Sequence, residues 1–147
     1  MSAPKTLLAF DFGLKRIGIA SGDTLTRSAA PRPAALAGAT GPDWEQIARE
    51  VRALSPAALV VGAPYNVDGS EGALTAAARR FAGELERRFA LPVHLVDERF
   101  SSLEANAALK SRRAGGGRGR TAREDIDSAA AAVILGRWFQ GEGEIIR

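Results

Sequence analysis

The stretch Thr6–Ser21, TLLAFDFGLKRIGIAS, decides the fold of this chain. Its first six residues are a short, mostly apolar run that ends in Asp11, a pattern typical of a buried strand with an acid at its end. A turn, Phe12–Lys15, separates this run from a second one, Arg16–Ser21. The two runs predict a pair of antiparallel strands, with Asp11 beside the turn that joins them.

Beyond these strands, helical and strand patterns alternate. A third strand is expected within Thr24–Ala30, and Pro31 and Pro33 are expected to stop it. A helix with Asp43 as its N-cap is expected next, followed by a strand at Ala57–Val61 and the loop Gly62–Gly72, in which Ser70 should cap the next helix. That helix is expected from Leu74 to Phe89, and a strand at Val93–Asp97 follows it. The remaining expected elements are a short helix at Leu103–Leu109, a loop at Ser111–Arg120 and a helix at Arg123–Phe139. This order predicts the α/β class, with a mixed five-stranded sheet flanked by helices. The 147 residues fit a single domain, 1–147.

Composition limits the function classes. The chain is 46% apolar and 25% charged, and it has no cysteine, which excludes disulfides and thiolate metal sites. No apolar run is long enough for a membrane span, and the first residues lack a signal-peptide pattern, so a cytoplasmic protein with no membrane partner is expected. The net charge is only +3, but Lys110–Arg123 holds six basic residues and no acid. Such a segment suits a polyanion, and nucleic acid is the expected partner.

Three acids occupy positions suited to chemistry. Asp11 ends the first strand, Glu98 follows the strand that ends at Asp97, and Asp127 lies early in the last helix. Helical spacing places Asp127 on an apolar face that should lie against the sheet, together with Ala131, Ile134 and Trp138. Buried carboxylates that converge repel one another unless a cation is present. Oxygen ligands favour Mg²⁺ or Mn²⁺, and two such ions can promote hydrolysis of a phosphodiester.

Simpler interpretations of the same acids stay open. Asp11 alone could be a turn former, Glu98 could pair with Arg99, and Asp127 could complement the helix dipole. Strand alternation places Asp97 and Glu98 on opposite faces, so at most one of them should point into a site. The single histidine lies within a predicted strand, which argues against a histidine triad or a zinc site.

Four segments resemble the YqgF/RuvX family of pre-16S rRNA nucleases, which are related to Holliday-junction resolvases: Leu8–Ala20, Val60–Glu71, Asp97–Ser102 and Ile126–Leu135. They occur in the family's order and span nearly the whole chain. The resemblance implies a ribonuclease H-like fold with a carboxylate metal site, and it carries Asp11, Glu98 and Asp127 into the catalytic and metal-binding positions. The implied function is metal-dependent cleavage that matures the 5′ end of the 16S rRNA precursor.

Several residues are expected to contact the substrate. Lys15, Arg16 and Arg99 could contact phosphates, and Asn66 could bind the sugar-phosphate backbone from its loop. The basic loop should hold the strand electrostatically without reading bases, through Arg118 and Arg120, with Arg123 beside them.

The chain departs from the family pattern in two places. Leu14 stands where members often carry a small or hydroxyl residue. Glu124 and Asp125 occupy positions where a lysine is usual, and Arg123 could supply the missing charge. These departures leave substrate choice open.

Other functions stay open as well. A Holliday junction resolvase acting on DNA would use the same acids but needs a dimer, whereas the sequence leaves the choice between a monomer and a weak homodimer. A non-catalytic RNA-binding or transcription-associated factor would rely on the basic loop alone. An ATPase of the actin/Hsp70 type has a similar strand-turn but requires two such domains.

Overall fold

The computed structural model describes residues 5–64, 68, 70–97, 122–140 and 143–146. These residues contain a six-stranded mixed sheet and three helices. The strands are β1 (Thr6–Asp11), β2 (Arg16–Asp23), β3 (Ala29–Leu36), β4 (Ala58–Ala63), β5 (Val93–Asp97) and β6 (Gly143–Ile146), and the helices are α1 (Trp44–Leu54), α2 (Ala73–Phe89) and α3 (Ala122–Phe139). In the part of the chain so described, every helix is too short or too polar to cross a membrane.

The sheet has the strand order β3-β2-β1-β4-β5-β6, so β1 is a central strand. It pairs with β2 in antiparallel and with β4 in parallel orientation. The other pairs are β2–β3 antiparallel, β4–β5 parallel and β5–β6 antiparallel. The predicted mixed sheet is therefore confirmed with its five strands, and β6 adds a sixth strand that was not predicted.

The predicted bounds of the third strand were wrong. The segment 24–28 forms the connection, and β3 runs from Ala29 through Pro31 and Pro33 to Leu36. The prolines are tolerated because β3 is an edge strand with a neighbour on one side only. A shift of register between Ile17 and Ile19 of β2 also accommodates an extra residue of β3 at this point.

The two faces of the sheet carry separate cores. On one face, α1 and α2 pack against Leu8, Phe10 and Ile17, with buried helix residues such as Phe81 and Leu85. On the other face α3 packs through Ile134, Leu135 and Phe139 against Leu7, Ala9, Val60 and Val96. Alternate residues of one strand thus enter opposite cores, as the period of two requires.

The residue that caps the start of α1 was predicted correctly, whereas the one predicted for α2 was not. Asp43 caps α1 as expected, since its Oδ1 accepts from the backbone N–H of Gln46 at 3.1 Å. Ser70 does not cap α2; its hydroxyl donates to the carboxylate of Asp68 at 2.6 Å instead. Gly72 precedes α2, and its N–H donates to Oγ1 of the buried Thr75, which in turn donates to the carbonyl of Pro64. Thr75 therefore ties the end of β4 to the start of α2.

Candidate active site

Asp11 is the last residue of β1, at the carboxyl end of a central strand. Leu7 and Ala9 of the same strand belong to the core under α3. Because side chains alternate along a strand, Asp11 shares that face of the sheet with them. Its side chain is half-buried. The structure thus places this acid at the carboxyl ends of the parallel strands, where functional groups of open α/β sheets gather, and on the side of the sheet that α3 covers.

Glycines flank Asp11 on both neighbouring strands. Asp11 lies opposite Gly18 of β2 and opposite Gly62 of β4. Neither glycine has a side chain, so the two residues paired with Asp11 add no side-chain atoms beside its carboxylate. The sequence did not show that these two residues flank Asp11, because their pairing with it depends on the register. Glycine within two apolar strands was the only available signal.

The turn after Asp11 depends on a close approach of the backbone. A Cβ atom added to Gly13 would lie 2.6 Å from the carbonyl oxygen of Arg16. No larger residue fits there without a shift of the turn. The glycine therefore allows a turn of four residues, 12–15, to join β1 to β2, which holds Asp11 and Arg16 at the same end of the sheet.

The end of β5 is separated from Asp11 by β4 alone. Val93 and Leu95 enter the core under α1 and α2, whereas Val96 enters the core under α3. By alternation, Asp97 lies on the face opposite to that of Asp11. The prediction that Asp97 and Glu98 cannot both serve the site is consistent with this placement, but Glu98 itself lies outside the described residues.

The last helix lies on the same face as Asp11. Ala131 and Ile134 are fully buried, and Trp138 packs against the core that contains Ile134. The prediction that this face of the helix lies against the sheet is confirmed. Ser128 is also buried, and its hydroxyl donates to the carbonyl of Arg32 in β3 at 2.7 Å. The backbone of Asp127 belongs to α3, but its side chain lies outside the described part.

Two of the predicted substrate-binding residues are described at this edge. Lys15 is exposed in the turn, and Arg16 is half-buried at the start of β2. Ile17 and Ile19 face the α1 and α2 core, so Arg16 and Gly18 share the face of Asp11. The backbone of Arg123 lies in α3 without a described side chain. The remaining predicted residues, Asn66, Arg99, Arg118 and Arg120, lie outside the described residues, as do the predicted short helix and basic loop.

The described residues test a metal site only in part. Their side chains contain no group of three or more acids or histidines able to hold a metal ion. Of the three predicted ligands, only Asp11 has a described side chain. Among the described residues, Asp11 offers carboxylate oxygens, the type of ligand that a hard divalent cation prefers.

The histidine has a packing role on the α3 face, away from Asp11. The ring of His94 meets that of Trp138 edge to face, with centroids 5.3 Å apart. Partial burial lowers the pKa of His94 below its usual value. The expectation of a packed histidine is in agreement with this contact.

This pKa shift predicts a loss of stability in mild acid. The unfolded chain binds a proton on His94 as pH falls through about 6.5, whereas the folded chain binds it only at lower pH. The free energy of unfolding should therefore decrease from about pH 7.5 to pH 5.5. In the variant His94→Gln that decrease should be smaller. Urea titrations across this range check it, and identical pH dependence of both proteins would refute it.

Comparison with known proteins agrees with the geometry. Residues 5–141 match the family RuvX, described as "Holliday junction resolvase". A protein of Legionella pneumophila subsp. pneumophila named "Putative pre-16S rRNA nuclease" is 48% identical over 133 residues, covering 90% of this chain and 94% of that protein. A protein of the same name from Edwardsiella ictaluri is 46% identical over 139 residues, covering 95% and 97%.

Solved structures share the fold. RuvC of T. thermophilus in complex with a Holliday junction substrate superposes with a TM-score of 0.55 at 16% identity, over 97% of this chain and 99% of that chain. A further Thermus thermophilus RuvC structure gives a TM-score of 0.54 over 96% and 99%. The predicted ribonuclease H-like fold is confirmed. The family match over residues 5–141 and the close relatives show that this chain belongs to the RuvX family.

Proposed function

We propose that this chain is a metal-dependent nuclease that matures the 5′ end of the 16S rRNA precursor in the cytoplasm, as one domain spanning residues 1–147. The relatives named as pre-16S rRNA nucleases support the substrate. The observation that carries the chemistry is the position of Asp11. It ends a central strand, faces α3, and has glycine on both sides.

The three acids would act together at this edge. Asp11, Glu98 and Asp127 would together hold the Mg²⁺ or Mn²⁺ ions, two in number. The alternation that puts Val96 on the α3 face supports Glu98, rather than Asp97, as the β5 acid of the site. The burial of Ala131 and Ile134 against the sheet supports Asp127 as the acid from α3.

When bound, the divalent ions supply an activated water and stabilise the charge on the leaving oxygen. The protein's own residues position the substrate. Arg16 lies on the face of Asp11 and would attract the phosphate beside the cut, and the exposed Lys15 would contact a neighbouring phosphate. Asn66, Arg99, Arg118, Arg120 and Arg123 would extend this contact along the strand.

A Holliday junction resolvase is the second candidate. The description of the matching family and the fold shared with RuvC favour it. It would use the same acids, but two sites must be set at a fixed distance to cut a junction symmetrically. A monomer or weak homodimer acting on a single strand needs no such spacing.

The two candidates are separated by their products. Purified protein with Mg²⁺ is offered a precursor RNA fragment with its 5′ extension, single-stranded DNA of the same sequence, and a four-way DNA junction. The proposal expects cleavage at the mature RNA end and an intact junction. Paired nicks in the junction, with the RNA untouched, would favour the resolvase. RNA binding without any cleavage would leave a non-catalytic binding factor.

A further inference from the structure

Two leucines are exposed at the edge of the sheet that holds Asp11. Leu14 lies in the turn after β1 and is 69% exposed, and Leu36 ends β3 and is 64% exposed. By contrast, Leu8, Phe10 and Ile17, in the adjoining strands, are fully buried.

The backbone brings these two leucines onto neighbouring segments. Leu36 lies opposite Arg16 in the β2–β3 register. The N–H of Ala37 donates to the carbonyl of Lys15 at 2.9 Å, which extends the pairing into the turn that contains Leu14. Because Leu36 is opposite Arg16, it shares the face of the sheet with that residue and with Asp11. Across β1, β2 and β3, this end of the sheet therefore carries a carboxylate (Asp11), a cation (Arg16) and an apolar side chain (Leu36), one on each strand.

Single exposed leucines are ordinary on protein surfaces. Here the apolar surface adjoins Lys15 and Arg16, so it fits a ligand that combines negative charge with flat apolar groups. An unpaired stretch of nucleic acid has this chemistry, because its phosphates are charged and the faces of its bases are free. In a duplex the base faces are stacked inside and cannot reach such a surface.

We propose that Leu14 and Leu36 form an apolar ledge that packs against the faces of unpaired bases next to the phosphate that is cut. The ledge makes the protein prefer single-stranded substrate over duplex without reading sequence. The inference rests on the proposed nuclease function for its location, but it is a statement about binding and can be tested without cleavage.

The test measures binding in EDTA by fluorescence anisotropy. The ligands are a single-stranded RNA oligonucleotide, its duplex, and a strand of equal length made of abasic residues. The variants are Leu14→Ser and Leu36→Ser. The matched control is Leu25→Ser, since Leu25 is 73% exposed but lies in the β2–β3 connection at the opposite edge.

Each ledge variant should bind the single strand about five-fold more weakly, the loss expected when part of a leucine no longer contacts a base. The control should bind like the wild type. On the abasic strand all four proteins should bind alike, and the wild type should bind it more weakly than the RNA. Thermal unfolding checks that the variants are folded.

The ledge would be refuted if both ledge variants bound the RNA like the wild type, or lost as much affinity for the abasic strand. Equal affinity of the wild type for duplex and single strand would also overturn it. Failure of the nuclease proposal gives a different result: the wild type would cleave nothing in Mg²⁺, whatever the anisotropy data show.

Discussion

Replacement of Asp11 by asparagine is expected to lower the rate of RNA cleavage by about three orders of magnitude while RNA binding in EDTA is retained. Asparagine keeps the size of the side chain but removes the negative charge that a divalent cation requires. Gly18 and Gly62, the two residues paired with Asp11, have no side chain that could replace that charge. Single-turnover cleavage of the precursor fragment, with anisotropy in parallel, measures both quantities.

A pair of variants at the end of β5 sharpens this experiment. Asp97→Asn should retain activity, because Asp97 lies on the face of α1 and α2. Glu98→Gln, one residue further, should lose activity as Asp11→Asn does. Full activity of Asp11→Asn would exclude the proposed site. Loss in Asp97→Asn together with activity in Glu98→Gln would show that the wrong acid of β5 was chosen.

The variant Phe81→Ala should lower the free energy of unfolding by about 3–5 kcal/mol, the range for removing a buried aromatic ring. Phe81 is only 4% exposed, at the centre of the core between α2, α1 and the sheet. Its ring centroid lies 5.7 Å from that of Phe10, 5.1 Å from that of Phe12 and 5.5 Å from that of Trp44. Deletion therefore leaves a cavity and removes three ring contacts.

Urea unfolding measures this change, and a residue of the same helix provides the control. Leu74 lies in the first turn of α2 and is 37% exposed. Leu74→Ala should cost less than about 1 kcal/mol. A similar loss in both variants would mean that the aromatic cluster does not determine the stability of this core.

Strong local patterns in the sequence predicted the elements that carry the site. The bounds of β1 and β5 were predicted correctly, because each is a short apolar run closed by an acid. The cap at Asp43 likewise marked the start of α1. In these elements the local signal and the tertiary environment agree.

The predictions failed for the elements whose bounds depend on tertiary contacts. Pro31 argues against a strand until β3 is known to be at the sheet edge. The short β6 carries too little pattern for its pairing with β5 to be foreseen. The start of α2 depends on the contact of Thr75 with Pro64, which lies eleven residues away in the chain. The local sequence pattern therefore favoured Ser70 as the cap of α2.

The candidate site was likewise predicted only in part. Asp11 could be chosen from its position at the end of an apolar run, and its resemblance to a family motif supported the choice. The two glycines beside it could not be predicted, because Gly18 and Gly62 become its neighbours only through the strand order β2-β1-β4. The exposure of Leu36 also depended on the corrected bounds of β3.

The most direct test of the proposed function is the metal dependence of a mapped cut. Wild-type protein is incubated with the 16S precursor fragment in Mg²⁺ and in EDTA, and the new 5′ ends are mapped by primer extension. We predict a single new end at the mature 5′ terminus that appears in Mg²⁺ and is absent in EDTA. Cleavage at the same place in EDTA, or an intact precursor in both conditions while the protein remains folded and bound to it, would contradict the account.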